Sequence, residues 1–367
     1  MEKLLYDTPV AVVDLDKLEN NIEQMAAMCR DRGIALRPHI KSHKMPEIAL
    51  AQLKAGAIGI TAAKLGEAEE MAIAGIKDIF IANQITGPAK LKRFAALASG
   101  SKLSVGVDSW TNALELDQLA RETGLVLDVL LEIDTGLHRC GLEPGPQAIR
   151  LAQKLRECNN LYLKGIFTHA GHAYAAADAA QVAAIGRQEG EAMVQLAREL
   201  ARAGTPVEVV SVGSTPTARH AVQVPGVTEL RPGNYVFYDA IQLALGVTSL
   251  DNCALTVRAT VISRPAPDRA VIDAGSKALN LDKGAHGASL VRGFGLVRDR
   301  PGITVDRLSE EHGILALHPE ETLGVGDVIE IIPNHACTVV NLFDTVLGTR
   351  QGKVTEVLRV AARGRSQ

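Results

Sequence analysis

Through its first 230 residues the chain repeats one alternation. A short apolar run gives way to a polar or glycine-bearing break, and then to a longer stretch with apolar residues at helical spacing. The runs fall at 34–36, 58–60, 79–82, 103–107, 126–133, 161–167, 207–212 and 227–230. Eight short strands, mostly separated by helical patterns, predict an α/β chain folded as a (β/α)8 TIM barrel. A doubly wound open sheet would be marked by GxGxxG after the first strand, and none follows it. A further short strand is expected at 8–14, where Asp14 or Asp16 can cap a helix with Leu18, Ile22, Met25 and Met28 on one face.

Past about Leu255 the period changes. Strands are expected at 255–263, 269–273 and 327–333 with few helices, around a segment holding Gly284, Gly287, Gly293, Gly295 and Gly302. The pattern predicts a barrel over residues 9–245, followed by a β-rich domain over 246–367 that also takes up residues 1–8.

Composition agrees with that division and narrows the partners. Of the 367 residues 47% are hydrophobic but only 3% aromatic, so the core must rest on Ala, Val, Leu and Ile, as parallel strands favour. A net charge of −3 with scattered basic residues gives no reason to expect nucleic acid as a partner. No stretch has the apolar length of a membrane span, and the first residues lack a signal-peptide core. Five cysteines without CxxC spacing fit a reducing compartment, so a cytoplasmic protein is expected.

In such a barrel, chemistry belongs to the loops that follow the strands. The first strand is followed by Arg37-Pro38-His39-Ile40-Lys41-Ser42-His43-Lys44, the third by Asn83-Gln84, and the fifth by Asp134 through Gly141, including Arg139. The sixth is followed by His169-Ala170-Gly171-His172-Ala173-Tyr174. Gly213-Ser214-Thr215 follow the seventh, and Arg231-Pro232-Gly233-Asn234-Tyr235 the eighth. Isolated, each loop reads as a plain turn or a basic surface patch. Together they place nearly every unusual polar residue of this region on one rim. So many cationic groups in the first loop require an anion among them, and a lysine disfavoured as an ammonium can act as a Schiff-base nucleophile. Hydroxyls at Ser214 and Thr215, with backbone amides at Gly233, Asn234 and Tyr235, suit a phosphate where barrels commonly bind one. Phosphate at one end and lysine at the other point to pyridoxal 5′-phosphate (PLP).

Six ordered motifs then carry a resemblance over essentially the whole chain. They are the Thr-Pro-Val start, Arg-Pro-His-x-Lys-x-His-Lys, Ile-Asp-Thr-Gly-x-x-Arg-Cys-Gly, Ser-Val-Gly-Ser-Thr-Pro-Thr, Arg-Pro-Gly-Asn-Tyr-Val-Phe-Tyr-Asp and Pro-Asn-His-x-Cys. The chain resembles the metal-activated, alanine-racemase-like PLP enzymes of fold type III: D-serine dehydratases, D-threonine aldolases and D-3-hydroxyaspartate lyases. The resemblance implies a homodimer whose small-molecule substrate is a D-3-hydroxy amino acid. It implies Lys41 as the Schiff-base lysine, with Lys44 the competing choice, and Arg139 facing the cofactor's phenolic oxygen. Tyr174 would contact the ring, Ser214, Thr215, Gly233, Asn234 and Tyr235 the phosphate end, and Gln84 the cofactor's side.

His335 and Cys337 match the metal pair. Alternate residues on an extended segment point the same way, so an imidazole and a thiolate can share one ion. Thiolate favours zinc over manganese or magnesium. Aldolases of this group carry His-x-Asp at the pair and a further histidine where this chain has Tyr174, whereas His-x-Cys is the dehydratase form. The resemblance therefore implies a lyase, first a dehydratase giving a 2-oxo acid and ammonia by β-elimination. The alternative is retro-aldol cleavage to glycine and an aldehyde, for which His172 could serve as base. An amino-acid racemase and a non-catalytic PLP carrier are the remaining readings. The first has no use for a metal pair, and the second lacks a second domain.

Overall fold

The computed structural model describes residues 6–284 and 289–367. Residues 1–5 of the expected N-terminal arm and Gly287 lie outside the described residues. The chain forms two compact units. One comprises Glu23–Ala173, Ala180–Gly233 and Gly364–Gln367; the other comprises the segment up to Ile22, Tyr174–Ala179 and Asn234–Arg363.

The first unit is the barrel. Its strands in chain order are Ala35–Leu36, Ile60–Ala62, Asp78–Gln84, Lys102–Val107, Leu127–Ile133, Leu161–Thr168, Val209–Val212 and Glu229–Leu230. All pair in parallel, the first with the eighth and each of the others with its neighbour in sequence. The cylinder closes where His39 bridges Thr61, with the Thr61 N–H donating to the Pro38 carbonyl at 2.8 Å. The long central strands are buried almost throughout, as parallel strands covered on both faces must be. Helix boundaries follow local chemistry. Ser109 caps Trp110–Thr123 by accepting from the Asn112 N–H at 3.3 Å, and Gly124 at φ 69° ends that helix in a left-handed turn. Inside the barrel Phe80 and Phe167 meet edge to face, 5.0 Å between ring centres, beside Leu130.

Among the described residues the second unit holds a nine-stranded sheet. Leu255–Ala266 is its longest strand, paired antiparallel with Val328–Ile332, Arg269–Ile272 and Val10–Asp14. Val10–Asp14 also pairs in parallel with Thr345–Arg350, which continues antiparallel to Lys353–Arg359. The expected boundary at residue 9 is therefore corrected: Val10–Asp14 is a strand of this sheet. So is the boundary at 245, because Asn234 onward belongs to this unit. An apolar run followed by a helix looks the same whichever sheet its strand joins. Asp14 is the cap of that helix, accepting from the Asp16 and Lys17 N–H groups at 3.1 Å each. Among the described residues no helix is long and apolar enough to cross a membrane.

The sixth and seventh barrel strands approach closely at Gly165, where an added Cβ would lie 2.5 Å from the Val209 carbonyl oxygen. Gly165→Ala should cost about 1–3 kcal/mol in urea unfolding, the scale of overpacking. Gly100→Ala, where a Cβ meets nothing within 4 Å, should change stability by less than about 0.5 kcal/mol.

Candidate active site

The exit of the first barrel strand explains how a cationic cluster is accommodated. Arg37 is buried, and burial opposes its charge. Its Nε donates to Glu229 at 2.8 Å and its Nη1 to Asp78 at 2.5 Å, and these partners prevail, raising its pKa. Lys44 sits in the left-handed region (φ 57°), with Nζ 3.4 Å from the buried Glu67 carboxylate. Two of the cations are thus answered by the protein's own carboxylates. The anions that so many cationic groups require are therefore, for these two, Glu229, Asp78 and Glu67.

Lys41 lies on a one-turn helix, Ile40–Ser42, capped by His39, whose Nδ1 accepts from the Lys41 N–H at 3.4 Å. Burial, followed by the charges of Lys41, Arg231, Arg139 and His43, holds the His39 imidazole well below its ordinary pKa. It stays neutral, as an acceptor must. Burial likewise lowers His43 to about 4, while its Nδ1 accepts from the Met45 N–H at 3.1 Å.

The loop after the eighth strand comes against this turn, and the loop after the seventh lies beside the eighth strand at Leu230. Gly213 adopts φ 96° and donates its N–H to Glu189 at 2.8 Å. Ser214 and Thr215 are buried beside it, with the Ser214 N–H on the Thr217 hydroxyl at 3.0 Å. At Gly233 a Cβ would lie 2.7 Å from Ser42 Oγ and 2.8 Å from the His39 carbonyl oxygen. No side chain fits there. The glycine brings the backbone of the eighth loop onto the Lys41 turn.

Elsewhere on the rim, Gln84 donates its amide to Glu132, and Arg139, half exposed, stands 3.9 Å from the same carboxylate. Burial raises the Glu132 carboxyl against the pull of Gln84 and Arg139. His172 packs over Gly136, with its Nδ1 buried and without a hydrogen-bond partner among the described residues. Burial lowers its pKa, with Asp134 opposing and His138 reinforcing, so the ring is neutral at neutral pH. The structure also groups Asp108, Glu132 and Cys140, with ligand atoms within 4.8 Å of one another, a set that the spacing along the chain does not reveal.

The second unit gathers the other expected residues. His335 and Cys337 do come together, but not as alternate residues of a strand. His335 is the extended N-cap residue of the short helix Ala336–Val340, and Cys337 lies in its first turn. His335 Nδ1 is 3.0 Å from Asp282 Oδ2, which leaves Nε2 for another partner. Burial would lower the imidazolium, but the Cys337 thiol, Asp282 and Asp239 together raise it to about 10. Asn334 fixes the Asp282 segment by donating to its carbonyl at 2.8 Å. The Asn234 amide donates to Asp239 at 2.6 Å and to Cys337 Sγ at 3.6 Å. Its side chain serves this cluster, whereas the phosphate contact expected at Asn234 is through its backbone amide. Tyr174 is buried, its hydroxyl accepting from Gln242 at 3.1 Å. Burial, then Cys337 and Asp239, raise its pKa well above the ordinary value. Tyr235 is fully buried. Asp282 and Asp239 were not singled out from the sequence. The second closes the Arg-Pro-Gly-Asn motif and could have been found there; Asp282 lies far from His335 in the chain and carries no local signal.

The residues fit both groups that the sequence calls for. The lysine turn is packed against the backbone of Gly233, and the buried Nε of Arg231, whose charge acts on the His39 of that turn, has no hydrogen-bond partner among the described residues, a donor open to an acceptor atom of a ligand. A thiol beside an imidazole whose Nδ1 is held by a carboxylate is a donor set for a borderline-soft divalent ion.

A parallel barrel with its polar groups on one rim, together with an antiparallel β-rich unit, is the alanine-racemase-like class of fold. Residues 13–240 match the family described as "Alanine racemase, N-terminal domain", and the chain belongs to that family. Residues 254–349 match the "Putative serine dehydratase domain". The chain is 35% identical to a D-threonine aldolase from Arthrobacter sp. over 98% of its length and 94% of that protein. It is 38% identical to the D-threo-3-hydroxyaspartate dehydratase of Delftia sp. (strain HT23) over 91% and 92%, and 29% identical to the D-serine dehydratase of Dictyostelium discoideum over 92% of each. Among solved structures, D-threonine aldolase from Filomicrobium marinum superposes with a TM-score of 0.91 at 33% identity, covering 98% of this chain and 97% of that one. The Delftia dehydratase superposes with a TM-score of 0.91 at 36% identity, covering 97% and 98%. A cysteine-to-alanine mutant of that dehydratase has been solved in a metal-free form.

His43 generates a pH prediction. Its folded pKa of about 4 lies below the unfolded value near 6.5, so the unfolded chain binds the proton more readily between those limits. Its effect is absent above pH 6.5 and removes up to about 3 kcal/mol of stability as the pH falls toward 4. Between pH 7 and 4.5, wild type should lose more stability in urea than His43→Asn does. Parallel losses would refute the assignment.

Proposed function

We propose that this protein is a PLP- and divalent-metal-dependent lyase of D-3-hydroxy amino acids that works by β-elimination, giving a 2-oxo acid and ammonia. The observation that carries the reading is the His335–Cys337 pair with Asp282 behind the imidazole, because a thiolate in that position is the dehydratase form of the site. Bound at these residues, PLP supplies an electron sink for charge at the substrate Cα, and the metal a Lewis acid for its β-hydroxyl.

Lys41 is the residue that would hold the cofactor and take the Cα proton at its Nζ. Lys44 is disfavoured for that role because Glu67 already engages its Nζ. The hydroxyls of Ser214 and Thr215, with the backbone at Gly233, Asn234 and Tyr235, bind the phosphate end. Arg139, Gln84 and Tyr174 orient the ring. His335 and Cys337 hold the ion, zinc by its preference for thiolate and imidazole, while Asp282 fixes the tautomer. The active form is a homodimer. No disulfide joins any of the cysteines among the described residues, which suits a reducing, cytoplasmic setting.

Retro-aldol cleavage is the second reading. The Arthrobacter relative that matches 98% of this chain is a D-threonine aldolase, and His172, neutral at neutral pH, could accept the β-hydroxyl proton. The racemase and carrier readings draw no support from a second unit that carries a metal-type pair.

Purified protein with PLP and zinc or manganese should yield keto acid from D-serine or D-3-hydroxyaspartate. Glycine and acetaldehyde from D-threonine, without keto acid, would move the assignment to aldolase. Chelation should abolish turnover, and Asp282→Asn should weaken metal binding about 10- to 100-fold. Lys41→Ala should lose the visible band of lysine-bound cofactor, whereas Lys44→Ala should keep it; the reverse pattern would reassign the lysine.

A further inference from the structure

Arg231, at the exit of the eighth barrel strand, is 5% exposed, and its two terminal nitrogens donate to neutral oxygens. Nη1 bonds the Ser211 hydroxyl and Nη2 the Thr168 carbonyl, over the rings of Phe80 and Phe167. Its Nε has no hydrogen-bond partner among the described residues. A guanidinium only donates. Ser211 Oγ must therefore accept from Arg231 and give its own proton to Glu229 Oε1, 2.5 Å away. The other oxygen of Glu229 accepts from Arg37 at 2.8 Å, Arg37 donates to Asp78, and Asp78 accepts from Lys102 at 2.7 Å.

The row therefore has a fixed polarity along the inside of the barrel. Its charges alternate from Arg231 through Glu229, Arg37 and Asp78 to Lys102, three positive against two negative. Arg37 and Lys102 each touch a carboxylate, whereas Glu229, Glu189 and Glu132 act on Arg231 only through space and none of them hydrogen-bonds its guanidinium. The Arg231 end is the one near the Lys41 turn, where Arg231 acts on His39 through space.

We infer that Ser211 and Glu229 are positioning residues that lock the Arg231 guanidinium so that its Nε–H stands as a fixed donor to an acceptor atom of the bound cofactor. The inference rests on the reading of the rim as a PLP site. Ser211 fixes the geometry, because without its hydroxyl the guanidinium can turn toward Glu229 and form a direct ion pair. Glu229 fixes the direction of the serine proton, which it alone accepts.

The test compares PLP-loaded wild type with Ser211→Ala, Ser211→Thr and Glu229→Gln, with Asp78→Asn as a control outside the serine link. The readouts are the PLP dissociation constant, the visible absorbance maximum and its pH midpoint, with circular dichroism reporting the fold. Wild type should take up PLP. Ser211→Ala should weaken binding at least about tenfold, the scale of one bond to a charged group, and displace the band or its midpoint. Ser211→Thr should restore both, Glu229→Gln should shift them in the same direction as Ser211→Ala, and Asp78→Asn should leave them in place. Should Ser211→Ala fail to fold, Glu229→Gln decides. Folded Ser211→Ala and Glu229→Gln proteins with wild-type affinity, band and midpoint overturn the inference and leave the PLP reading standing. Wild type that takes up no PLP overturns that reading and the inference with it.

Discussion

The barrel seam is made from the backbone of the same residues that carry the candidate nucleophile. The Arg37 N–H donates to the Leu230 carbonyl at 2.9 Å and the His39 N–H to Pro232 at 2.9 Å, while the carbonyls of Leu36 and Pro38 accept from Ile58 and Thr61. The first strand is thus bonded on one side to the eighth and on the other to the second. Lys41 follows within two residues of the last of these bonds. Its position is fixed by closure of the cylinder, so a substitution that loosens the seam moves the lysine before it unfolds the barrel. Gly233 tightens the arrangement by removing the side chain that would hold the two exits apart.

The second theme is how charge is buried. Arg37, Lys44 and Arg231 all sit at 8% exposure or less. The first two are set against carboxylates; the third is set against a hydroxyl, a carbonyl and two aromatic rings. Removing one partner of a buried pair costs far more than the pair contributes, because the other charge is stranded. These networks therefore specify one arrangement more than they stabilise it. The same logic applies around His335, where Asp282 and Asp239 raise an imidazole that burial alone would depress.

The periodic part of the fold was legible and the partner choice was not. Eight apolar runs and the helices between them gave the barrel, with strand ends within a few residues, because parallel strands covered on both faces must be apolar. Val10–Asp14 looked like one more strand of that series, yet nothing in its side chains names the sheet it joins. The strands at 304–308, 345–350 and 353–359 are not marked by a continuous apolar run because polar residues interrupt them, and that at 313–316 is too short to stand out. Candidate residues in named loops were readable because barrel topology collects loops on one rim. Their supports were not: Glu67, Asp282 and the Ser211–Glu229 link come from distant segments and become neighbours only on folding. Spacing also misled at His335 and Cys337, where a helix N-terminus, not a strand, brings imidazole and thiol together.

The placement of Val10–Asp14 has a consequence for biogenesis. It leaves the ribosome well before its antiparallel partner, which begins at Leu255, and its parallel partner, which begins at Thr345. The barrel pairs nearly all its strands with sequence neighbours and can assemble while synthesis continues. The sheet must keep this strand waiting until the whole barrel segment between it and Leu255 has emerged. Long-range pairing of this kind is slow to form, so while the barrel segment is being made the nascent protein carries an unpaired apolar strand, a ready target for chaperones and a point at which the chain can aggregate.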